Sequence, residues 1–247
     1  MQWRRDRRSR SALDPAHRAS VWQVVSLLLD YPSEELVARV PLLRVALAEV
    51  PEHHAADLTA FMDVLEGTPL RELQVDYVDT FDVTRRCALH LTYFTDGDTR
   101  KRGVALVRFK QAYSAAGVEL DAAELPDFLP VLLEFGALHD GDVAWRLLND
   151  HRVGIELLAR ALHHRESRWA GVIDALRSTL PQLDGDSEEA LRRLIAAGPP
   201  SEDVGIDTSP YGSDMHMDPA LDERLNPRPA ARSVTDLGLD IPVGAPR

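Results

Sequence analysis

Between residues 18 and 196, apolar side chains return every three or four positions, and the two-residue alternation of a half-buried strand is almost absent. That spacing follows the 3.6-residue turn, so each segment carries one apolar stripe that only another helix can cover. The predicted fold is therefore all-α, a single globular multi-helix domain. Val21, Val24, Val25 and Leu28 line a first helix, which Pro32 stops before Ser33 offers a cap for the next. Pro41 is expected to split residues 34–50 into two short pieces, because proline removes a helical donor. Leu58, Phe61 and Leu65 make the next stripe. Beyond Gly67 and Pro69, the spacing of Leu70, Leu73, Tyr77 and Phe81 predicts one face of a long helix. Leu106, Phe109, Tyr113 and Ala116 form another stripe, closed by Gly117. Further helices are predicted around Leu129 to Gly136, from Trp145 to Leu162 as one helix or two joined near 149–152, from Val172 to Leu180, and around Leu191 to Ile195.

The two ends differ from this pattern. Residues 1–17 are rich in arginine, with no apolar stretch behind them to act as a secretory signal, and read as a disordered basic arm. Residues 198–247 hold eight of the sixteen prolines, nine acids against four bases and a single aromatic, Tyr211. Such a composition buries too little surface to offset its ordering entropy, so a disordered, acidic, Pro-rich tail is expected and the helical domain is bounded at 18–197. No apolar run approaches the roughly 20 residues that span a bilayer, which predicts a soluble chain. Forty acidic residues against 28 basic ones give a net charge of −12, which disfavours nucleic acid as a partner and favours a basic one. Cys87 is the only cysteine; it excludes a disulfide framework, fits a reducing, cytoplasmic setting, and is expected to be a buried, inert thiol.

No phosphate loop, dinucleotide fingerprint or nucleophile elbow occurs, and the chain is not expected to be an enzyme. The pairs His53/His54 and His163/His164 point about 100° apart on a helix, so neither chelates one ion; solvated helix surface is the expected setting, and neither a metal nor a cofactor is predicted. Asp96/Asp98 and Asp140/Asp142 each flank a glycine and suit helix caps. "TYFTDGDTRKRG" (residues 92–103) places Arg100, Lys101 and Arg102 in the first turn of a helix capped by Asp98 or Thr99, where positive charge opposes the helix dipole. Together with Arg85 and Arg86 these side chains either pair with Asp79 and Asp82 or meet an anion, and a nucleotide-binding regulator using residues 98–103 is the alternative function. In "ELPDFLPVLLEFG", Glu124 and Asp127 stand three apart beside two prolines, where they suit either turn formation or a cationic group on a peptide.

Taken together, "LLLDYPSEEL", "YVDTFDVTRRCALHLTYFTDGDTRKRG", "ELPDFLPVLLEF" and "HHRESRWAGVID" resemble the nitrate reductase molybdenum cofactor assembly chaperones, the NarJ or delta-subunit family of redox-enzyme maturation chaperones, over roughly residues 20–180. The resemblance implies an all-helical, non-enzymatic protein that binds the amino-terminal peptide of the apo catalytic α subunit of nitrate reductase. It would hold that subunit for molybdenum cofactor insertion before membrane docking, with cofactor delivery proteins as further partners. The acidic-proline motif of such families matches Glu124, Leu125, Pro126 and Asp127, while Phe128 stands where many members carry histidine. An apolar groove for the peptide is expected at Tyr77, Phe81 and Tyr93, and its basic groups are expected to meet Asp82, Glu124 and Asp127. Arg100 and Arg102 would order the junction or meet an anion.

Overall fold

A computed structural model describes residues 13–96, 100–120, 124–183 and 185–197. All regular structure among them is helical. Helix α1 (Pro15–Leu28) starts from Asp14, whose carboxylate accepts from the Ala16 amide. Leu13 is buried, so residues 13–17, expected in the arm, belong to the folded body. Ser33 caps α2 (Glu34–Ala46) through the Leu36 amide. Contrary to the expected break, Pro41 lies inside α2. It sits on the exposed side, where water can replace the lost bond, while buried Leu36, Val40 and Leu43 anchor both halves.

Helix α3 (Glu52–Gly67) carries His54, which is buried rather than solvated: its Nδ1 lies 2.5 Å from the Ser178 hydroxyl, and burial pulls its pKa below the ordinary histidine value. Helix α4 (Leu70–Tyr77) does not run on as an α-helix; from Val78 to Val83 it widens into a π-helix, which buries Thr80 beside Phe81. The π turn stops where the Thr84 hydroxyl donates to the Asp79 carbonyl at 2.8 Å. A 3₁₀ turn (Arg85–Cys87) follows; Cys87 is fully buried there and burial raises its thiol pKa.

Next come α5 (Tyr93–Asp96), α6 (Arg100–Ala115), α7 (Leu129–Leu138), α8 (Gly141–Asp150), α9 (Arg152–His164), α10 (Ala170–Ser178) and α11 (Gly185–Ala197). Gly117 follows α6 at φ 76°, a left-handed stop that glycine adopts without strain. Asp140 caps α8 through the Asp142 and Val143 amides, as the Asp-Gly-Asp pattern predicts. The core is centred on α1, packed against α7 and α10, with α3 against α10 and α9 between α10 and α11. Gly136 permits the α1–α7 approach: a Cβ there would stand 2.7 Å from the Trp22 ring and 2.5 Å from Ala144. Trp22 in turn donates to the Thr179 hydroxyl at 2.9 Å and Ser26 to the Pro130 carbonyl at 2.8 Å, so these two buried polar groups of α1 are matched. Among the described residues, no helix is long and apolar enough to cross a membrane.

Candidate functional site

The last carbonyls of α1 have no helical partners. Two aromatic side chains supply them: the Tyr77 hydroxyl donates to the Leu29 carbonyl at 3.0 Å, and the Trp169 indole donates to the Leu28 carbonyl at 3.1 Å. Around these bonds the rings of Tyr77, Phe81 and Trp169 meet with centroids 4.8 to 5.7 Å apart, and Tyr31 packs edge-on against Tyr77. Tyr77 and Phe81 are therefore core residues, each 6% exposed, and do not line an open groove. Burial raises the Tyr77 pKa well above the usual phenol value, which keeps the hydroxyl a donor. Trp169, within "HHRESRWAGVID", is the partner that periodicity alone did not single out.

Outside this cluster runs an open cleft of about 700 Å³ between α4 with its π turn and the loop joining α9 to α10. Val75 offers it an apolar side chain that is 64% exposed. The rest of the rim is charged. Arg168 reaches Glu72 at 2.5 Å and Asp76 at 3.4 Å, while Arg165 pairs with Asp79. Asp79 is thus bound by an arginine from the distant loop. Glu166, also on the rim, holds a left-handed backbone at φ 52°, unusual for a residue with a side chain.

The acidic-proline motif lies elsewhere and is turned inward. Asp127 is fully buried; its Oδ2 accepts from the Thr92 amide at 3.1 Å and the Thr92 hydroxyl at 2.5 Å. Main-chain bonds from Leu91 to the Asp127 carbonyl and from Leu129 to the Leu89 carbonyl zip residues 89–91 onto 127–129. His90 sets its Nδ1 3.4 Å from Asp127 Oδ1, and its ring lies against Phe128. Burial pushes the Asp127 pKa up, but the contacts of His90 and Thr92 outweigh it, and the carboxyl sits below its ordinary value. The Thr92 hydroxyl also accepts from Arg102 Nε at 3.3 Å, which joins α6 to the same knuckle. Pro126 is buried as well, its carbonyl accepting from the Tyr113 hydroxyl at 2.8 Å.

Asp127 and Pro126 are accordingly not on the surface where a peptide's basic group was expected to meet them. Asp82 and Glu124 are exposed, Tyr93 is half-buried against Phe94, and Arg85 and Arg86 are exposed on the 3₁₀ turn. Gly97 to Thr99, with the cap expected of Asp98 or Thr99, and the Arg100 side chain lie outside the described residues. Among those residues, no group of three or more histidine, cysteine or acidic side chains is arranged to hold a metal ion.

Three of the four motif segments, those around Leu29, Tyr77 and Trp169, meet at the aromatic cluster, and the fourth is held in the knuckle. The sequence pattern of the nitrate reductase delta subunit family matches residues 47–174, more than half of the chain. The chain belongs to that family. NarX of Mycobacterium tuberculosis, a nitrate reductase-like protein, is 39% identical over 161 residues, which are 64% of this chain and 24% of NarX. The chain thus spans about a quarter of that relative's length. A Bacillus subtilis family member named as the nitrate reductase molybdenum cofactor assembly chaperone NarJ is 28% identical over 172 residues, covering 69% of this chain and 94% of its own. The solved structure of an Archaeoglobus fulgidus protein assigned to redox enzyme maturation shares the fold, with a TM-score of 0.50 at 23% identity, over 64% of this chain and 91% of that one.

Proposed function

We propose that this protein is a non-catalytic, cytoplasmic assembly chaperone for a nitrate reductase. Its client is the apo catalytic α subunit, bound through the amino-terminal peptide and held until the molybdenum cofactor is inserted and the enzyme docks at the membrane. The observation that carries this reading is the family match over residues 47–174, joined by relatives whose names describe nitrate reductase molybdenum cofactor assembly. We assign the role to the helical domain, residues 18–197.

The cleft beside α4 suits the peptide. Val75 supplies an apolar contact, and Glu72, Asp76, Asp79 and Glu166 supply carboxylates. Three of these carboxylates are engaged by Arg165 or Arg168 in exposed ion pairs, worth about 0–1 kcal/mol each, so a peptide's basic side chains can replace those arginines at little cost. Tyr77 and Phe81 serve this site indirectly, by packing behind its α4 wall, and Pro126 and Asp127 belong to the knuckle instead, whereas Asp82, Tyr93 and Glu124 remain direct contacts in the proposal. Calorimetry with the α-subunit's amino-terminal peptide tests it. Binding is expected to weaken with salt and to be lost in Val75→Asp; no detectable binding to the wild type at about 10–100 μM peptide, where ΔG would be weaker than roughly −6 kcal/mol, rejects peptide recognition.

A further inference from the structure

A second cleft, of about 480 Å³, lies among α9, α10 and α11. Its lining opposes the charge of the whole chain. Arg152, Arg160, Arg177 and Arg192 face it against Glu156 and Glu188. Arg152, Glu156 and Arg160 occupy successive i, i+4 positions of α9, which brings them to one side of the helix. Glu156 is only 4% exposed and is already shared: Arg152 Nη2 donates to one oxygen at 2.7 Å, and Arg177 donates from Nε at 3.0 Å and Nη2 at 2.7 Å. Arg177 is further tied to Asp174. Arg152 is left incomplete. It is 8% exposed, yet its Nε and Nη1 are buried without any hydrogen-bond partner. Burial lowers its pKa; Glu156 opposes that shift and Arg177 adds to it. Buried cationic donors without acceptors are costly, and a fold that keeps them in a cleft rich in arginine has a vacancy for an acceptor.

We propose that this cleft binds a small ligand through a phosphate or diphosphate group. Four arginines face two glutamates in the lining, with Asp174 paired to Arg177 behind it, and a phosphate group brings three acceptor oxygens to the positive charge and open donors that remain. Guanidinium forks match such an oxyanion, and the cleft falls within the roughly 300–1,000 Å³ usual for small-molecule sites. Arg160 and Arg192, both exposed, make the first contact. Glu156 is a positioning residue that holds two guanidiniums at the floor. Arg152, held beside the cleft by Glu156, keeps Nε and Nη1 as the donors still without an acceptor. The site is independent of the peptide cleft beside α4, and failure of either leaves the other standing.

The experiment is a titration of the full chain with inorganic pyrophosphate at low salt. It is followed by nuclear magnetic resonance of backbone amides and arginine Nε–H groups, with sodium chloride at matched ionic strength as control. Saturable shifts are expected in α9 and α11, including the Arg152 Nε–H resonance, with several-fold weaker binding in Arg160→Ala and unchanged binding in Arg71→Ala. Arg160 is exposed, so its replacement leaves the fold intact. Non-saturating shifts, shifts that sodium chloride reproduces, or an Arg160→Ala protein that binds like the wild type would each overturn the proposal.

Discussion

The aromatic end of α1 and the Asp127 knuckle bury polar atoms in opposite ways. At the aromatic end, neutral donors on Tyr77 and Trp169 meet neutral carbonyls under a roof of rings, and the outer side opens into a cleft. At the knuckle, a whole carboxylate is enclosed, and its donors come from Thr92, at the end of a short irregular segment that pairs with residues 127–129. The first arrangement draws its stability from volume and apolar area, the second from the two donors that Thr92 turns onto one carboxylate oxygen, while Oδ1 has only His90 Nδ1 at 3.4 Å. One should therefore respond to truncation and the other to charge and pH.

Trp169→Ala makes the largest test. It removes the ring common to the Phe61, Tyr77 and Phe81 contacts and frees the Leu28 carbonyl, so urea unfolding is expected to report a loss of about 3–5 kcal/mol, with little change in its pH dependence. Asp127→Asn keeps the shape and removes the charge. A loss of about 1.5–3 kcal/mol is expected at pH 7, the range of hydrogen bonds to a charged group. Because the folded Asp127 pKa lies below its ordinary 3.8, this stability is present above pH 3.8 and vanishes as pH falls through the folded value. The gap between wild type and Asp127→Asn should thus close in acid; a gap that stays constant down to pH 2 would show that the charge does not stabilise the knuckle. Tyr77→Phe is the smallest change: it deletes one hydroxyl, keeps the ring, and should cost about 0.5–1.5 kcal/mol without altering the response to acid.

Much of the architecture was legible in spacing. The apolar stripes located α1, α3 and α6 to α11, Ser33 and Asp140 announced their caps, and Gly117 announced its stop, because periodicity and capping are local and act within a few residues. Pro41 and His54 were misjudged for one reason: local preference was overruled by what packs on either side. Leu36, Val40 and Leu43 hold α2 together across the proline, and Ser178 from α10 accommodates the histidine. The candidate site was legible as motif and obscure as geometry. Tyr77, Phe81 and Asp127 were expected to meet a peptide, yet they are buried with Trp169, Thr92 and the carbonyls of α1, which lie far away in sequence.

"TYFTDGDTRKRG" shows where the division falls. From the sequence alone came a helix beginning near Arg100, an acidic chain too poorly suited to nucleic acid, and a resemblance carried by four segments in order. Two partners came only from tertiary structure: Asp79 went to Arg165, and Arg102 reached Thr92. The physical reason is range. Helix periodicity, capping and composition are properties of neighbouring residues, whereas a buried charge takes whichever donor the packing of distant helices brings within about 3 Å.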